Sequence, residues 1–325
     1  GTFVHDVLEY IVQQTEREGG FAAVPRSRVQ ELAQERMEQN AQTLLETFPD
    51  SGRTGYLLRR TFDEVTQVVD ELYDELSVSA FRPEFCELEF SARGALPGVA
   101  FAGERCRGVV EGFVDRVDVW QSGGWPYVRV VDYKTGKKSF DYTNVLHGRG
   151  LQMLLYLFAL VRQGGHLLHG EPLPAGVLYF PARIERVSVR DRLAQAEIEK
   201  ERRKQLRRSG VLLNSDPVLE AMEPCGGSPR FLPYTLDKEG RKTGDLASFA
   251  QLAQLERFVF RTVAALGDEL ADGRIDPDPC IRDAKDSACA FCPYSEVCAG
   301  HEQPRWLKKI TAEEFWQTLE RREHG

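Results

Sequence analysis

No stretch of the 325 residues is apolar for the length of a membrane span, and the first residues lack the charged and apolar regions of a secretory signal. An intracellular, cytoplasmic location is therefore expected. A GxxxxGK[ST] phosphate loop is also missing, so no nucleotide-driven motor is expected in these residues. Internal repeats and low-complexity tracts are absent as well. Basic charge is scarce: 42 Lys and Arg against 50 Asp and Glu leave a net charge of -8, the opposite of the balance that phosphate binding favours. Local distribution outweighs that sum. Carboxylates are what a protein needs to hold divalent metals, and Arg202, Arg203, Lys204, Arg207 and Arg208 make a basic stripe on a predicted helix, although a solvated face is its simpler reading. The chain opens Gly1-Thr2-Phe3 without an initiator methionine, and a piece of a longer protein is expected. Its 42% hydrophobic residues are ample for a buried core.

Cysteine is sparse until the C-terminal region. Seven cysteines, an odd count with three crowded together, do not make a secreted disulfide framework. Cys86, Cys106 and Cys225 stand alone and read as small, partly buried residues. Cys289, Cys292 and Cys298 have a C-x2-C-x5-C spacing that lets their thiolates converge on one metal centre. Zinc accepts four thiolates, but zinc modules usually show two close pairs, and here there is one pair plus a single.

Apolar residues recur at helical spacing through 2–18, 27–46 and 53–79, as in Leu57, Phe62, Val65, Val68, Val69 and Leu72. From Phe85 the period falls towards two. Cys86–Ser91, Gly108–Trp120 and Tyr127–Tyr133 read as strands, with Ser122-Gly123-Gly124 as the turn between the last two. Leu151–Val161 reads as an apolar helix and Gly176–Phe180 as a short strand. Residues 185–246, charged and with a glycine- and proline-rich loop, read as an insertion beside the sheet. An amphipathic helix over 247–272, the cysteines and a short helix at 311–321 complete the chain.

In GFVDRVDVW, alternation places Phe113, Asp115, Val117 and Val119 on one face, and in VRVVDYKTG it places Val128, Val130, Asp132 and Lys134 on another. A carboxylate ending an apolar row is costly unless a positive charge compensates it, and two aspartates on neighbouring strands can share magnesium or manganese. Lys134 points the same way as Asp132, where its ammonium can meet a phosphate or a water. Alone, an Asp-x-Lys usually marks a surface ion pair; the hairpin partner and the apolar helix that follows give it context. Gln152 and Tyr156, four apart on that helix, can face one substrate strand.

Together GFVDRVD, VVDYKTG and GLQMLLY resemble the PD-(D/E)XK nuclease core of the RecB-like branch. The likeness extends over nearly the whole chain to the AddB subunits of bacterial AddAB helicase–nucleases, through FRPEFCELEF, GVLYFPA and SGVLLNSDPVLEAME. The resemblance implies an α/β fold with a central mixed sheet flanked by helices, a helical N-terminal part (1–80), a catalytic core (81–184), the insertion (185–246) and a C-terminal part with the cysteines (247–325), all in one nuclease domain. It implies metal-dependent exonuclease action on DNA during double-strand break resection, beside an AddA-like helicase–nuclease subunit. HDVLEY matches the family's N-terminal helix, so His5 is implied as a metal ligand with Asp115 and Asp132, and Lys134 as the catalytic lysine. The Tyr133 carbonyl is a further candidate ligand. Pro83 and Glu87 fit the family's segment ahead of the catalytic strands, and Glu87, Gln152 and Tyr156 are expected at the rim, supporting the site or the DNA strand. For the cysteines the resemblance implies a [4Fe–4S] cluster with a fourth cysteine upstream of the His5 helix, Cys280 being the one nearby substitute. Two other readings stay open on the residues: a DNA-binding scaffold of the same fold without catalysis, and a zinc-stabilised interaction domain.

Overall fold

The computed structural model describes residues 2–47, 52–136, 139–184, 195–283, 286–298 and 304–324. Three helices come first, α1 (Thr2–Arg17), α2 (Arg26–Thr47) and α3 (Gly52–Leu76), as the apolar spacing predicts. Helix α1 buries Val7, Leu8, Ile11 and Val12, and α3 buries Val65, Val68, Val69, Leu72 and Leu76, each set recurring every three or four residues. No helix among the described residues is long and apolar enough to cross a membrane.

Strand β1 (Arg82–Phe90) follows, then a separate hairpin of β2 (Val99–Ala102) and β3 (Arg107–Val110), then β4 (Gly112–Ser122) and β5 (Trp125–Lys134). The single strand predicted over Gly108–Trp120 is thus two, because β3 pairs with β2 while β4 pairs with β1 and β5. Gly123 and Gly124 have φ of 60° and 84°, the left-handed values that a two-residue hairpin turn needs. After β5 come α4 (Tyr142–Leu146), α5 (Gln152–Gln163), α6 (Gly165–Leu168) and β6 (Leu173–Pro181), which runs parallel to β5. Every residue of α5 from Met153 to Leu160 is buried, since the helix packs on β5 and β6 and is covered in turn by a later helix.

Residues 195–246 carry α7 (Gln195–Leu206), β7 (Ser209–Leu213), α8 (Asp216–Met222), the hairpin of β8 (Tyr234–Leu236) and β9 (Lys242–Gly244), and the start of β10 (Leu246–Ala247). Part of this segment enters the sheet instead of lying beside it. Strand β7 pairs antiparallel with β6 and parallel with β10, giving one mixed sheet in the order β1-β4-β5-β6-β7-β10. Gly210 permits that pairing, for a Cβ there would stand 1.9 Å from the Val177 carbonyl oxygen. The expected basic stripe is broken as well: α7 ends at Leu206, Arg207 turns inward to the Leu232 and Tyr234 carbonyls, and Arg208 is buried against Glu75.

Helix α9 (Phe249–Ala271), held at its start by a reciprocal Ser248–Gln251 capping box, packs on α5. A small sheet of β11 (Cys280–Asp283), β12 (Asp286–Ser287) and β13 (Arg305–Trp306) surrounds the cysteine segment. The final helix α10 (Ala312–His324) lays Phe315 and Trp316 against Tyr142 of α4.

Candidate active site

Three elements distant in sequence meet at one point. His5 of α1, Glu87 of β1 and Asp115 of β4 each offer a ligand atom, and these atoms lie within 4.8 Å of one another. His5 Nδ1 stands 3.5 Å from Asp115 Oδ2. That oxygen also accepts the Tyr133 backbone N–H at 2.6 Å, which ties β4 to β5 at the site. Asp132 is close enough across the β4–β5 pair to act on Asp115, whose pKa is raised by burial and then by the Asp132 charge, against the pull of the Tyr133 N–H, His5 and Lys134. Asp132 itself forms an ion pair with Lys134 two residues along the strand.

Glu87 carries the strongest sign of unrelieved charge. Burial, Asp115 and Glu9 together push its carboxyl up to about 7. Its backbone has φ of 49°, a left-handed conformation that non-glycine residues seldom adopt and that costs on the order of 1–3 kcal/mol. Such strain marks a residue held by its surroundings in a position that strand geometry alone does not provide. One imidazole and two carboxylates, with a third carboxylate alongside, form a donor set suited to a hard divalent cation. The raised carboxyl pKa values fit the same group, because a cation relieves the repulsion that produces them.

Behind the site lies a feature that alternation did not reveal. The face of β4 opposite Asp115 is buried too, and it carries charge. Arg116 bonds Asp118 through Nε at 2.7 Å and through Nη2 at 3.1 Å, and Arg129 of β5 reaches the same Asp118 at 2.7 Å. Arg129 also meets Glu75 of α3 at 3.0 Å, and Arg208 meets Glu75 at 2.7 Å. These five side chains are at most 3% exposed. Arg116 also donates to the Tyr133 hydroxyl at 2.7 Å. Tyr133 is thereby fixed at both ends, its N–H on Asp115 and its phenol in the buried network. The run Asp115-Arg116-Val117-Asp118 contained a signal for this, since charges at every second position on a strand whose other face is also claimed imply a sheet covered on both sides.

The rim prediction divides. Gln152 is exposed, whereas Tyr156 is 1% exposed, stacked on Phe90 with ring centroids 4.9 Å apart. Tyr156 cannot touch a DNA strand from there, because α5 is sunk in the core; its hydroxyl instead accepts a 3.4 Å hydrogen bond from the Gln152 amide. Cys289, Cys292 and Cys298 line one cavity of about 370 Å³ together with Asp276 and Asp278. Cys280, on β11, is not among the residues that line it. Arg282 joins this region to the body of the protein through Asp141, and Asp286 does so by accepting Arg149 at 2.9 Å.

A family model described as the PD-(D/E)XK nuclease superfamily matches residues 1–299. The chain is similar to an ATP-dependent helicase/deoxyribonuclease subunit from Moorella thermoacetica, 32% identical over 305 residues that cover 92% of this chain and 26% of the relative. The protein of the same name from Oceanobacillus iheyensis is 27% identical over 309 residues, 92% of this chain and 26% of the relative. That from Thermoanaerobacter sp. is 27% identical over 335 residues, 99% of this chain and 29% of the relative. The chain thus spans little more than a quarter of the length of these relatives.

Proposed function

This chain belongs to the PD-(D/E)XK nuclease superfamily, and on that premise we propose that it is the nuclease part of an AddB-like subunit, an exonuclease that hydrolyses DNA phosphodiester bonds with divalent metal ions. The convergence of His5, Glu87 and Asp115 from three separate elements, beside Asp132 and Lys134, is the observation that carries the reading. His5, Asp115, Asp132 and the Tyr133 carbonyl would hold magnesium or manganese, with Glu87 next to them. When bound, the ion supplies Lewis acidity at a phosphate oxygen and a lower pKa for a nearby water. Lys134 offers a cation to the negative charge that grows on the phosphate as water attacks phosphorus and the P–O bond to the leaving strand breaks. Asp132 aims that ammonium, and the Tyr133 N–H holds the Asp115 carboxylate in place. Gln152 supports the strand from the rim, with Tyr156 behind it.

The names of the relatives suggest a larger assembly, and for this chain we place the activity beside an AddA-like helicase–nuclease subunit, trimming DNA ends at double-strand breaks. Cys289, Cys292 and Cys298 would ligate a [4Fe–4S] cluster whose fourth cysteine comes from outside these residues.

The test is cleavage of linear DNA in magnesium by the protein and by Asp132→Ala and Lys134→Ala. Cleavage by each variant is expected to fall at least ~100-fold, with thermal melting within a few degrees of the parent. A variant that folds and cuts at the parent rate would falsify the site.

A further inference from the structure

Strands β4 and β5 do not stay paired as far as the candidate site. Their ladder runs from Ser122 and Trp125 to Arg116 and Val131 and ends there, just short of Asp115 and Asp132. Each strand goes on with its other neighbour. Val114 and Phe113 of β4 still pair with Leu88 and Glu89 of β1, and Asp132, Tyr133 and Lys134 of β5 pair with Tyr179, Phe180 and Pro181 of β6. The sheet therefore forks at the site, and the candidate ligands stand on opposite prongs, Asp115 on one, Asp132 and the Tyr133 carbonyl on the other.

Where a ladder ends, backbone pairing no longer sets how far apart two strands stand. Two hydrogen bonds to Tyr133 cross the fork. The Asp115 carboxylate accepts the Tyr133 N–H at 2.6 Å, and Arg116 donates from Nη1 to the Tyr133 hydroxyl at 2.7 Å. The first is made by a candidate ligand itself, whereas the second lies on the buried face and touches no ligand atom. Arg116 has little freedom, because Nε and Nη2 are bound to Asp118 at 2.7 and 3.1 Å, and Asp118 also holds Arg129 of β5 at 2.7 Å. Arg116 is fully buried and Tyr133 is 3% exposed, so water does not compete for the bond between them.

We propose that Arg116 is a positioning residue for the metal ligands: through the Tyr133 hydroxyl it sets the width of the fork, and with it the separation of Asp115 from Asp132 and the Tyr133 carbonyl. The inference rests on the nuclease reading above and deepens it, by naming what keeps ligands from two strands at the spacing a small cation needs. Arg116 itself ligates nothing.

Binding of manganese alone, without DNA, is measured by the electron paramagnetic resonance of the free ion, well below the melting temperature of every variant. Asp115→Asn is expected to abolish the binding, which assigns it to this site. Tyr133→Phe removes the hydroxyl and keeps the ring, with its edge-on contacts to Phe180 at 5.4 Å and His5 at 5.9 Å. It is expected to weaken binding about tenfold, the lower end of what partners that orient metal ligands contribute. In an Arg116→Lys background the same change is expected to add nothing, since the brace is already gone. Glu75→Gln disturbs the same buried network away from Tyr133, and is expected to lower the melting temperature while leaving manganese affinity within about twofold of the parent. Parent-like affinity in Tyr133→Phe overturns the positioning role, as does an equal loss in Glu75→Gln, an additive loss in the double variant, manganese that stays bound in Asp115→Asn, or a parent that binds none. A parent that shows the expected pattern and never cuts DNA sinks the nuclease reading and leaves the brace standing.

Discussion

Burial makes a lone carboxylate hold its proton, and Asp245 shows the effect away from the metal-ligand candidates. It sits ahead of β10, and burial together with the neighbouring Asp141 charge raises its pKa from 3.8 to about 6. The folded protein thus binds this proton more tightly than the unfolded chain does. The associated stability is complete below about pH 4 and is lost as pH rises through 6. Asp245→Asn, neutral at every pH, is expected to raise the melting temperature near pH 8 by a few degrees, from a gain of at most roughly 2 kcal/mol, and to change little near pH 4. Scanning calorimetry at the two pH values checks this; an equal gain at both would show that charge burial is not the cause. Glu87 obeys the same electrostatics, but there the neighbours are candidate metal ligands, and the charge that raises its pKa is what a cation would use.

Helix α3 is joined to the strands of the site by charge rather than by apolar packing alone. Glu75, the α3 member of the buried network, binds Arg129 of β5 and Arg208. Desolvation works to raise its pKa, and the arginines overcome that and hold it down to about 2. Breaking such a network from one side leaves buried cations without a partner, which usually costs about 3–5 kcal/mol. Glu75→Gln is therefore expected to lower the urea midpoint strongly near neutral pH. With the pKa depressed from 4.5, the contribution of Glu75 is present above that value and is lost as pH falls through about 2, so the gap between parent and Glu75→Gln should close in acid. A gap that persists at pH ~2 would mean that shape, and not charge, is what the glutamate provides. The network also reaches the site, since Arg116 holds the Tyr133 hydroxyl, and β5 is the strand that carries Asp132 and Lys134.

Over the whole molecule the cysteine segment and the sheet are linked through Arg282 and Arg149, which bridge Asp141 and Asp286. Three cysteine sulfurs around one cavity leave a cluster one ligand short. In a longer chain that includes the fourth cysteine, iron and sulfide with visible absorption are expected after anaerobic purification, lost in Cys292→Ser; stoichiometric zinc without iron would reverse the cluster assignment and leave the nuclease assignment intact. How much of this was legible in the chain depends on range. Neighbours along the chain sufficed for the three N-terminal helices, the Gly123-Gly124 turn, the Asp132-x-Lys134 pair at a strand end and the close cysteine spacing, because backbone periodicity and turn conformation act over a few residues. Packing alone decided that β7 joins the sheet, that Tyr156 is sunk beneath Gln152, and that Glu87 takes a left-handed backbone. It also decided that Arg116, Arg129 and Arg208 face inward. A buried charge is tolerable only where counter-charges arrive, and Glu75 lies 133 residues before the Arg208 it binds, a pairing that no local pattern encodes and that only the closed fold brings about.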